Sequence, residues 1–112
     1  MLANEHRLRR KNDFASVFKK GKGFKKDFVF LKVIKNKLRE SRFGFIVGNK
    51  VSKKAVVRNK IKRRLRGIVE KNLDRVKKGF DIIVVALPGL EKKSFQEINN
   101  TIDSLFQESK II

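Results

Sequence analysis

An apolar run late in the chain places the strongest constraint on the fold. Phe80–Ala86 has one acidic residue and otherwise apolar ones, with little alternation between polar and apolar positions. A strand of this composition is typical of the interior of a sheet whose two faces are both covered. Pro88, the only proline, can end the strand soon after its last residue. We therefore predict a buried strand over residues 80–86, in a sheet with helices packed on it.

The N-terminal part of the chain predicts a basic arm and then a short helix. Residues 1–10 are basic and are expected to form a mobile arm. A helix over residues 13–20 follows, and Asn12 or Asp13 is expected to cap it. The apolar face of this helix is expected to carry Phe14, Val17 and Phe18.

The next part of the chain alternates like β-structure. In residues 24–34, Phe28 and Phe30 are predicted on one face, opposite Val29, Leu31 and Val33. The pattern fits one long strand or two strands split near Lys26 and Asp27, and both remain open. Residues 43–47 predict a further strand of the same sheet.

Two helices complete the predicted fold. A long helix over residues 52–72 has a narrow apolar stripe, and a last helix begins near Ser94. With the first strand split, the order is α-β-β-β-α-β-α, an α+β fold with a mixed sheet in one domain spanning residues 1–112. The expected core residues of the two helices are Val57, Ile61, Leu65, Ile68, Phe95, Ile98, Ile102, Leu105 and Phe106.

The charge of the chain is confined to its first part. Residues 1–66 hold 23 Lys and Arg and four Asp and Glu, whereas residues 67–112 hold seven of each. The formal charge of +19 therefore belongs entirely to the first 66 residues. Such an excess opposes compaction unless a polyanion neutralises it, so the partner is expected to be a polyanion. A uniformly lysine-rich surface is the alternative, and the neutral second part disfavours it.

The greatest density of positive charge lies on the long predicted helix. From Lys53 to Arg66, eight of fourteen residues are basic and none is acidic. Arg58, Lys62 and Arg66 are spaced at i, i+4, where like charges repel. Contact with phosphates would offset this repulsion, because each contact releases condensed counterions. The alternative is a solvated helix face without a partner.

Several classes of function are disfavoured by the residues that the chain lacks. It has no cysteine and one histidine, and its acidic residues are scattered, so we predict neither a catalytic site nor a metal site on the protein. The longest unbroken apolar run has six residues, far short of the ~20 that span a bilayer. The N-terminus has no apolar signal region, so a soluble, cytoplasmic protein is expected.

The aromatic composition favours RNA over duplex DNA. The chain has ten Phe and neither Tyr nor Trp. Phe14 and Phe18 lie in the basic part, where an aromatic ring can receive an unstacked base. Each phenylalanine could instead be a core residue, so the aromatics alone are weak support.

Four segments resemble the bacterial ribonuclease P protein component. Residues 55–66, which include Arg58-Asn59-Lys60, resemble the arginine–asparagine–arginine signature of that family. Residues 8–21 resemble the opening helix of the family. Residues 42–47, together with Lys50, resemble the strand before the signature, and residues 80–86 resemble the last strand. The resemblance covers about residues 7–106. The chain departs from the family at Lys60 and at Leu87, where arginine is usual, and it has no tyrosine near Leu31.

The resemblance implies a particular fold and function. The fold would be a small two-layer α/β sandwich with a left-handed βαβ crossover, like the second domain of a small-subunit ribosomal protein. The chain would be the non-catalytic subunit of ribonuclease P, whose catalytic RNA removes the 5′ leader of precursor tRNA. The RNA holoenzyme would require Mg²⁺, and the protein alone would bind no cofactor. No membrane and no obligate protein partner are implied.

The resemblance also assigns roles to particular residues. Contacts with the catalytic RNA are expected from Arg58, Asn59, Lys60, Lys62, Arg63, Arg66, Lys53 and Lys54. The cleft for the leader is expected to contain Phe14, Phe18 and Lys50. Asn59 could instead cap or cross-link local backbone.

Three other functions compete with this interpretation. A ribosomal or other structural RNA-binding protein is the principal alternative, because the same composition and α/β layout occur there. A DNA-compacting protein and a protein-only nuclease are less favoured.

Overall fold

A computed structural model describes residues 3–112, which form a four-stranded sheet and three α-helices. No helix in this range is both long enough and apolar enough to cross a membrane. The order α-β-β-β-α-β-α is confirmed, and the long strand-like segment is split into two strands. The elements are α1 (Lys11–Lys20), β1 (Lys22–Lys26), β2 (Val29–Lys35), β3 (Arg42–Val47), α2 (Ala55–Asn72), β4 (Phe80–Ala86) and α3 (Phe95–Glu108).

The sheet is mixed, as predicted. Its strands lie in the order β1-β2-β4-β3, with β4 antiparallel to β2 and parallel to β3. Strands β1 and β2 form an antiparallel hairpin whose turn contains Asp27 with a positive φ of 51°. Helix α2 connects the parallel neighbours β3 and β4, and the left-handed sense of this crossover stays a prediction.

Strand β4 is buried on both faces, which confirms its predicted central position. Ile82 and Val84 belong to the main core beneath α2 and α3. Ile83 faces the other side, where it packs with Val17 of α1 and with Leu8. Helix α1 therefore adds a short third layer to the predicted sandwich.

The helices bury most of the predicted apolar residues. In α2, Ile61, Leu65 and Ile68 are buried, and Val57 is half-buried against the same core. Four of the five predicted residues of α3 are buried, but Phe95 is 44% exposed. That expectation was wrong because Phe95 is the first residue of α3, at the end of the helix. The buried residues of α3 are Ile98, Thr101, Ile102, Leu105 and Phe106.

The N-terminal segment departs from the predicted arm. The amide of Leu8 donates to the carbonyl of Phe43 at 2.8 Å, and the Leu8 side chain is 5% exposed. The part of the arm at residues 7 and 8 is therefore packed on the sheet; Met1 and Leu2 lie outside the described residues. The cap of α1 is Arg10, without a side-chain hydrogen bond, whereas Asn12 and Asp13 lie inside the first turn.

A polar network engages the side chain of Asp13 on the sheet side of α1. Arg42 donates from Nε to Asp81 Oδ1 at 2.9 Å and from Nη2 to Asp81 Oδ2 at 2.7 Å. A third contact, of 3.5 Å, joins Arg42 Nη1 to Asp13 Oδ2. Asn36 also donates to Asp81 Oδ1. This network ties the start of β3 and β4 to the first turn of α1.

Helix α3 begins with a capping box that predicts a pH dependence of stability. Ser94 Oγ accepts from the amide of Glu97, and Glu97 Oε1 accepts from the amide of Ser94. These hydrogen bonds with Ser94 lower the pKa of the Glu97 carboxyl from its ordinary value of 4.5. A lowered pKa in the folded state adds stability above the unfolded value, and this contribution is lost as the pH falls.

We expect Glu97→Gln to be less stable than the wild type at pH 7, with a difference that shrinks below pH 4.5. Ser94→Ala should cost about 1 kcal/mol, the usual contribution of an N-cap. Urea unfolding at several pH values measures both effects. A constant difference between Glu97→Gln and wild type from neutral to acid pH would contradict the assignment.

Candidate nucleic-acid interface

Helix α2 displays its basic residues and Asn59 around a buried apolar stripe. Asn59, Lys60 and Arg63 are exposed, and Arg58, Lys62 and Arg66 are half-buried. Lys53 and Lys54 are exposed in the loop before the helix. The structure therefore gathers all eight predicted RNA-contact residues on one helix and its leading loop. Their contact with RNA stays a prediction.

Two of the arginines on α2 are held by neighbouring groups. Arg58 Nη1 donates to the carbonyl of Ser52 at 3.0 Å, which ties the leading loop to the helix. The guanidinium of Arg66 lies 5.9 Å from the centroid of the Phe45 ring. Within residues 3–112 the Asn59 side chain has no hydrogen-bond partner, so its alternative as a local cap gains no support.

The charge on this surface is not balanced within the protein. In the described part of the chain, no basic residue from 53 to 66 forms an ion pair. The arginines that do form ion pairs with acids are Arg42 and Arg75. Residues 53–66 therefore present a positive surface that contains no acidic side chain to compete with an anionic partner.

Helix α1 lies across the opposite face of the sheet and is positioned by a glycine. A Cβ at Gly44 would lie 2.5 Å from Phe14 Cζ, so only glycine allows this ring to reach β3. Phe14 is half-buried, whereas Phe18, one turn later, is 39% exposed. Lys50 is exposed in the turn after β3, and no described contact joins it to either phenylalanine. The structure thus brings Phe14 and Phe18 to one helix face, and the part of Lys50 in the cleft stays a prediction.

The sheet beside α1 contributes side chains that the sequence analysis did not assign to the cleft. Leu31, near which the family aromatic was sought, is fully buried on the α2 and α3 side. Its neighbours Phe30 and Lys32 point the other way and are half-buried. Alternate residues of β2 point to opposite faces of the sheet, and this alternation was the signal that could have placed Phe30 on the face beside α1.

The alternation predicted Phe28 and Phe30 on one face of the sheet, but in the structure they lie on different faces. Phe28 lies in the turn between β1 and β2 and packs against the main core. The Nζ of Lys93 lies 5.0 Å from its ring centroid. The prediction was wrong because the strand is interrupted at residues 27 and 28, where the alternation of faces ends.

A groove of about 420 Å³ connects the start of α1 with α2 along the outer edge of β3. Three arginines line it and no lining residue is acidic. Arg7 and Arg9 belong to the segment expected to be a mobile arm, so their part in a built surface was missed. The lining residues are Arg7, Leu8, Arg9, Phe14, Phe43, Gly44, Phe45 and Arg66.

His6 and Arg42 are held by hydrogen bonds within the fold. His6 Nδ1 donates to the carbonyl of Ser41 at 2.9 Å, and its side chain is 13% exposed. Among residues 3–112, no three His, Asp or Glu side chains are arranged to hold a metal ion. The Asp81 hydrogen bond raises the pKa of the Arg42 guanidinium, which keeps this arginine charged.

Comparison with known proteins gives consistent matches over the whole chain. The family model "Ribonuclease P" matches residues 2–110. A ribonuclease P protein component from Pseudanabaena is 35% identical, covering 100% of this chain and 97% of the relative. One from Syntrophomonas wolfei is 41% identical over 86% of this chain and 80% of the relative. A mutant RNase P protein from Staphylococcus aureus superposes with a TM-score of 0.90 at 27% identity, covering 96% and 91% of the two chains.

Fold and surface together define a small α+β protein with one basic helix, α2, on one face of a mixed sheet and a short helix, α1, on the other. This is the fold of the bacterial RNase P proteins. The chain belongs to the Ribonuclease P family.

Proposed function

We propose that this protein is the RNA-binding subunit of a ribonuclease P ribonucleoprotein and promotes removal of the 5′ leader from precursor tRNA. Processing of tRNA 5′ ends is the role of its family, and its relatives are named as protein components of ribonuclease P. The observation that carries the proposal is the unpaired positive surface of α2. Eight basic residues from 53 to 66 lie there without an acidic partner among the described residues.

The catalytic RNA is the partner proposed for α2. Exposed Lys60 and Arg63 can each approach a phosphate without giving up an ion pair. Arg58 holds the leading loop through Ser52, which keeps Lys53 and Lys54 beside the helix. Binding through such contacts is driven by counterion release and weakens steeply with salt. A structural RNA-binding protein would share these properties, so an effect on cleavage distinguishes the two.

The leader is the partner proposed for the face beside α1. Phe18 and Phe30 supply aromatic rings there, and stacking of a base on such a ring is tolerant of sequence. Tolerance of sequence suits a substrate whose leader varies between tRNA genes. Lys50 is proposed as a phosphate contact near this face.

The chemistry of cleavage is assigned to the RNA subunit. Asp13 and Asp81 are bound by Arg42, and no group of acidic side chains in residues 3–112 could hold a metal. Mg²⁺ is therefore proposed to bind the holoenzyme RNA, where it supplies an activated nucleophile. The contribution of the protein is to bind and orient the two RNAs, in the cytoplasm.

Reconstitution tests this proposal directly. A bacterial ribonuclease P RNA should cleave a 5′-extended precursor tRNA poorly at low Mg²⁺ and efficiently when this protein is added. The protein alone should be inactive. Tight binding of the RNA with no effect on cleavage would overturn the proposal in favour of a structural RNA-binding protein.

Substitution of Phe18 tests the leader cleft. Phe18→Ala should weaken holoenzyme binding of leader-bearing tRNA by roughly tenfold, since stacking on an aromatic ring contributes about 1–3 kcal/mol per base. Binding of mature tRNA should be unchanged. Phe95→Ala is the matched control, because Phe95 is a phenylalanine of similar exposure on α3. Equal losses for both tRNAs, or unfolding of the variant, would return Phe18 to a core role.

A further inference from the structure

Strand β1 carries a second concentration of positive charge, at the edge of the sheet opposite to α2. Five of the eight residues from 19 to 26 are lysine and none is acidic. All five side chains are exposed. Strands β1 and β3 are the two edges of the sheet, so about 14 Å separates them. We name this set the lysine edge: Lys19, Lys20, Lys22, Lys25 and Lys26.

Local structure accounts for only part of this charge. A lysine on an edge strand discourages pairing with another chain, and lysines in the last turn of α1 favour the helix dipole. One lysine at each place would serve these purposes. In the described part of the chain none of the five forms an ion pair, and Lys22 instead lies 5.7 Å from the ring centroid of Phe24. The mutual repulsion of the lysine edge is therefore left for a bound polyanion to offset.

The lysine edge is continuous with the face beside α1. A Cβ at Gly23 would lie 3.0 Å from Phe30 Cζ, so the Phe30 ring reaches over β1 on this face. Lys25 follows Gly23 by two residues and therefore points to the same side of the sheet. Lys22 and Lys26 alternate with it and point to the other side, where Phe24 packs against the main core. Lys19 and Lys20 belong to the last turn of α1, so the lysines on the face beside α1 are these two and Lys25. Lys32 Nζ donates to the carbonyl of Gly21 at 3.2 Å, which joins the end of α1 to this region. A strand of RNA leaving Phe30 would meet the lysine edge without crossing an acidic side chain.

The two ends of α1 give this path a direction. Phe14, in the first half of α1, lines the groove that contains Arg66 of α2, the helix proposed to bind the catalytic RNA. Phe18 and the lysines of the last turn lie toward β1. The nucleotides nearest the cleavage site therefore belong at the Phe14 end, and those farther out belong at the β1 end.

We infer that the lysine edge binds phosphates of the distal part of the precursor-tRNA leader, after the leader has passed Phe18 and Phe30. This inference rests on the proposed function. The ligand is single-stranded RNA, because exposed aromatic rings followed by lysines suit a flexible backbone with unstacked bases.

Leader length provides the test. The variant is the triple substitution Lys19→Gln, Lys20→Gln and Lys25→Gln, the three members of the lysine edge on the face beside α1. The control is Lys77→Gln, Lys78→Gln and Lys92→Gln, three exposed lysines of the neutral second part. Each is assembled with ribonuclease P RNA, and binding of precursor tRNA is measured over a range of salt. Two leaders are compared, of about 4 and about 12 nucleotides, within the range that single-strand sites cover.

For the long leader, the variant should lower the slope of log affinity against log salt by about 2, or about 0.7 for each lost phosphate contact. For the short leader the slope should not change, and the control should match the wild type with both. An equal change with both leaders, or weaker assembly with the RNA alone, would assign the lysine edge to another RNA contact. If the salt slope of the variant is unchanged with both leaders, the lysine edge is a solvated surface and the inference is overturned. Cleavage by the wild-type holoenzyme would still support the proposed function in that case. If the wild-type protein restores no cleavage to the RNA, both the proposed function and this inference are overturned.

Discussion

Arg42→Ala should lower the free energy of unfolding by about 3 kcal/mol, since removing one partner of a buried ion pair leaves the other charge unpaired. The Asp81 side chain is 9% exposed and both of its oxygens bind Arg42. The remaining donor to Asp81 is the neutral amide of Asn36, which cannot replace a guanidinium. Urea unfolding at pH 7 measures the loss.

A second arginine provides the matched control. Arg75 pairs with Asp103 at 2.9 Å, but its side chain is 52% exposed. Arg75→Ala should therefore cost less than about 1 kcal/mol, as is usual for exposed pairs. If Arg42→Ala were as mild as Arg75→Ala, the network at the start of β3 would contribute little to stability. The double variant Arg42→Leu, Asp81→Asn would show how much of the loss comes from the unpaired carboxylate of Asp81.

The double variant Lys60→Ala, Arg63→Ala should weaken assembly with the catalytic RNA by about a hundredfold. Each lost charge-assisted hydrogen bond removes about 1.5 kcal/mol. The slope of log affinity against log salt should fall by about 1.8, or 0.9 for each contact. Both side chains are exposed and lie outside the ion pairs of the described residues, so the fold should be unaffected.

Assembly is measured by titration of the RNA with protein at several salt concentrations. Lys78→Ala, a change of an exposed lysine away from α2, should leave affinity and slope unchanged. Arg58→Ala should lower the slope by about 1 as well. It is the less decisive variant, because it also releases the leading loop from its contact with Ser52. An unchanged salt slope in the double variant would remove α2 as the phosphate-binding surface.

The regular elements of the fold could be predicted because their patterns are local. The bounds of β4 follow from an apolar run, and Ser94 begins α3 because a serine three residues before Glu97 forms a capping box. The stripe of α2 was recognisable because Ile61, Leu65 and Ile68 recur with the helical period. The RNA-contact residues of α2 were predicted from the local density of basic residues and from the family resemblance, and their contact with RNA stays a prediction.

The parts that were not predicted depend on contacts distant in sequence. Asp13 looked like a cap, but α1 begins at Lys11, and the Asp13 carboxylate lies 3.5 Å from Arg42 Nη1 of the distant strand β3. Arg7 and Leu8 looked like an arm, but the open edge of β3 offers Phe43 as a partner. Phe30 faces α1 because the hairpin between β1 and β2 fixes which face of β2 lies beneath that helix. Such pairings cannot be derived from the pattern of one segment.

Strand β3 supports the two proposed RNA surfaces through adjacent residues. Gly44 faces α1 and receives the ring of Phe14, while Phe45 faces α2 and lies beneath Arg66. Successive residues of a strand point to opposite faces, and the backbone between them has little freedom to lengthen. Under the proposed function, the strand would act as a rigid spacer of fixed thickness between the leader and the catalytic RNA. A fixed spacing of this kind would let one protein present leaders of any sequence at the same offset from the cleavage site.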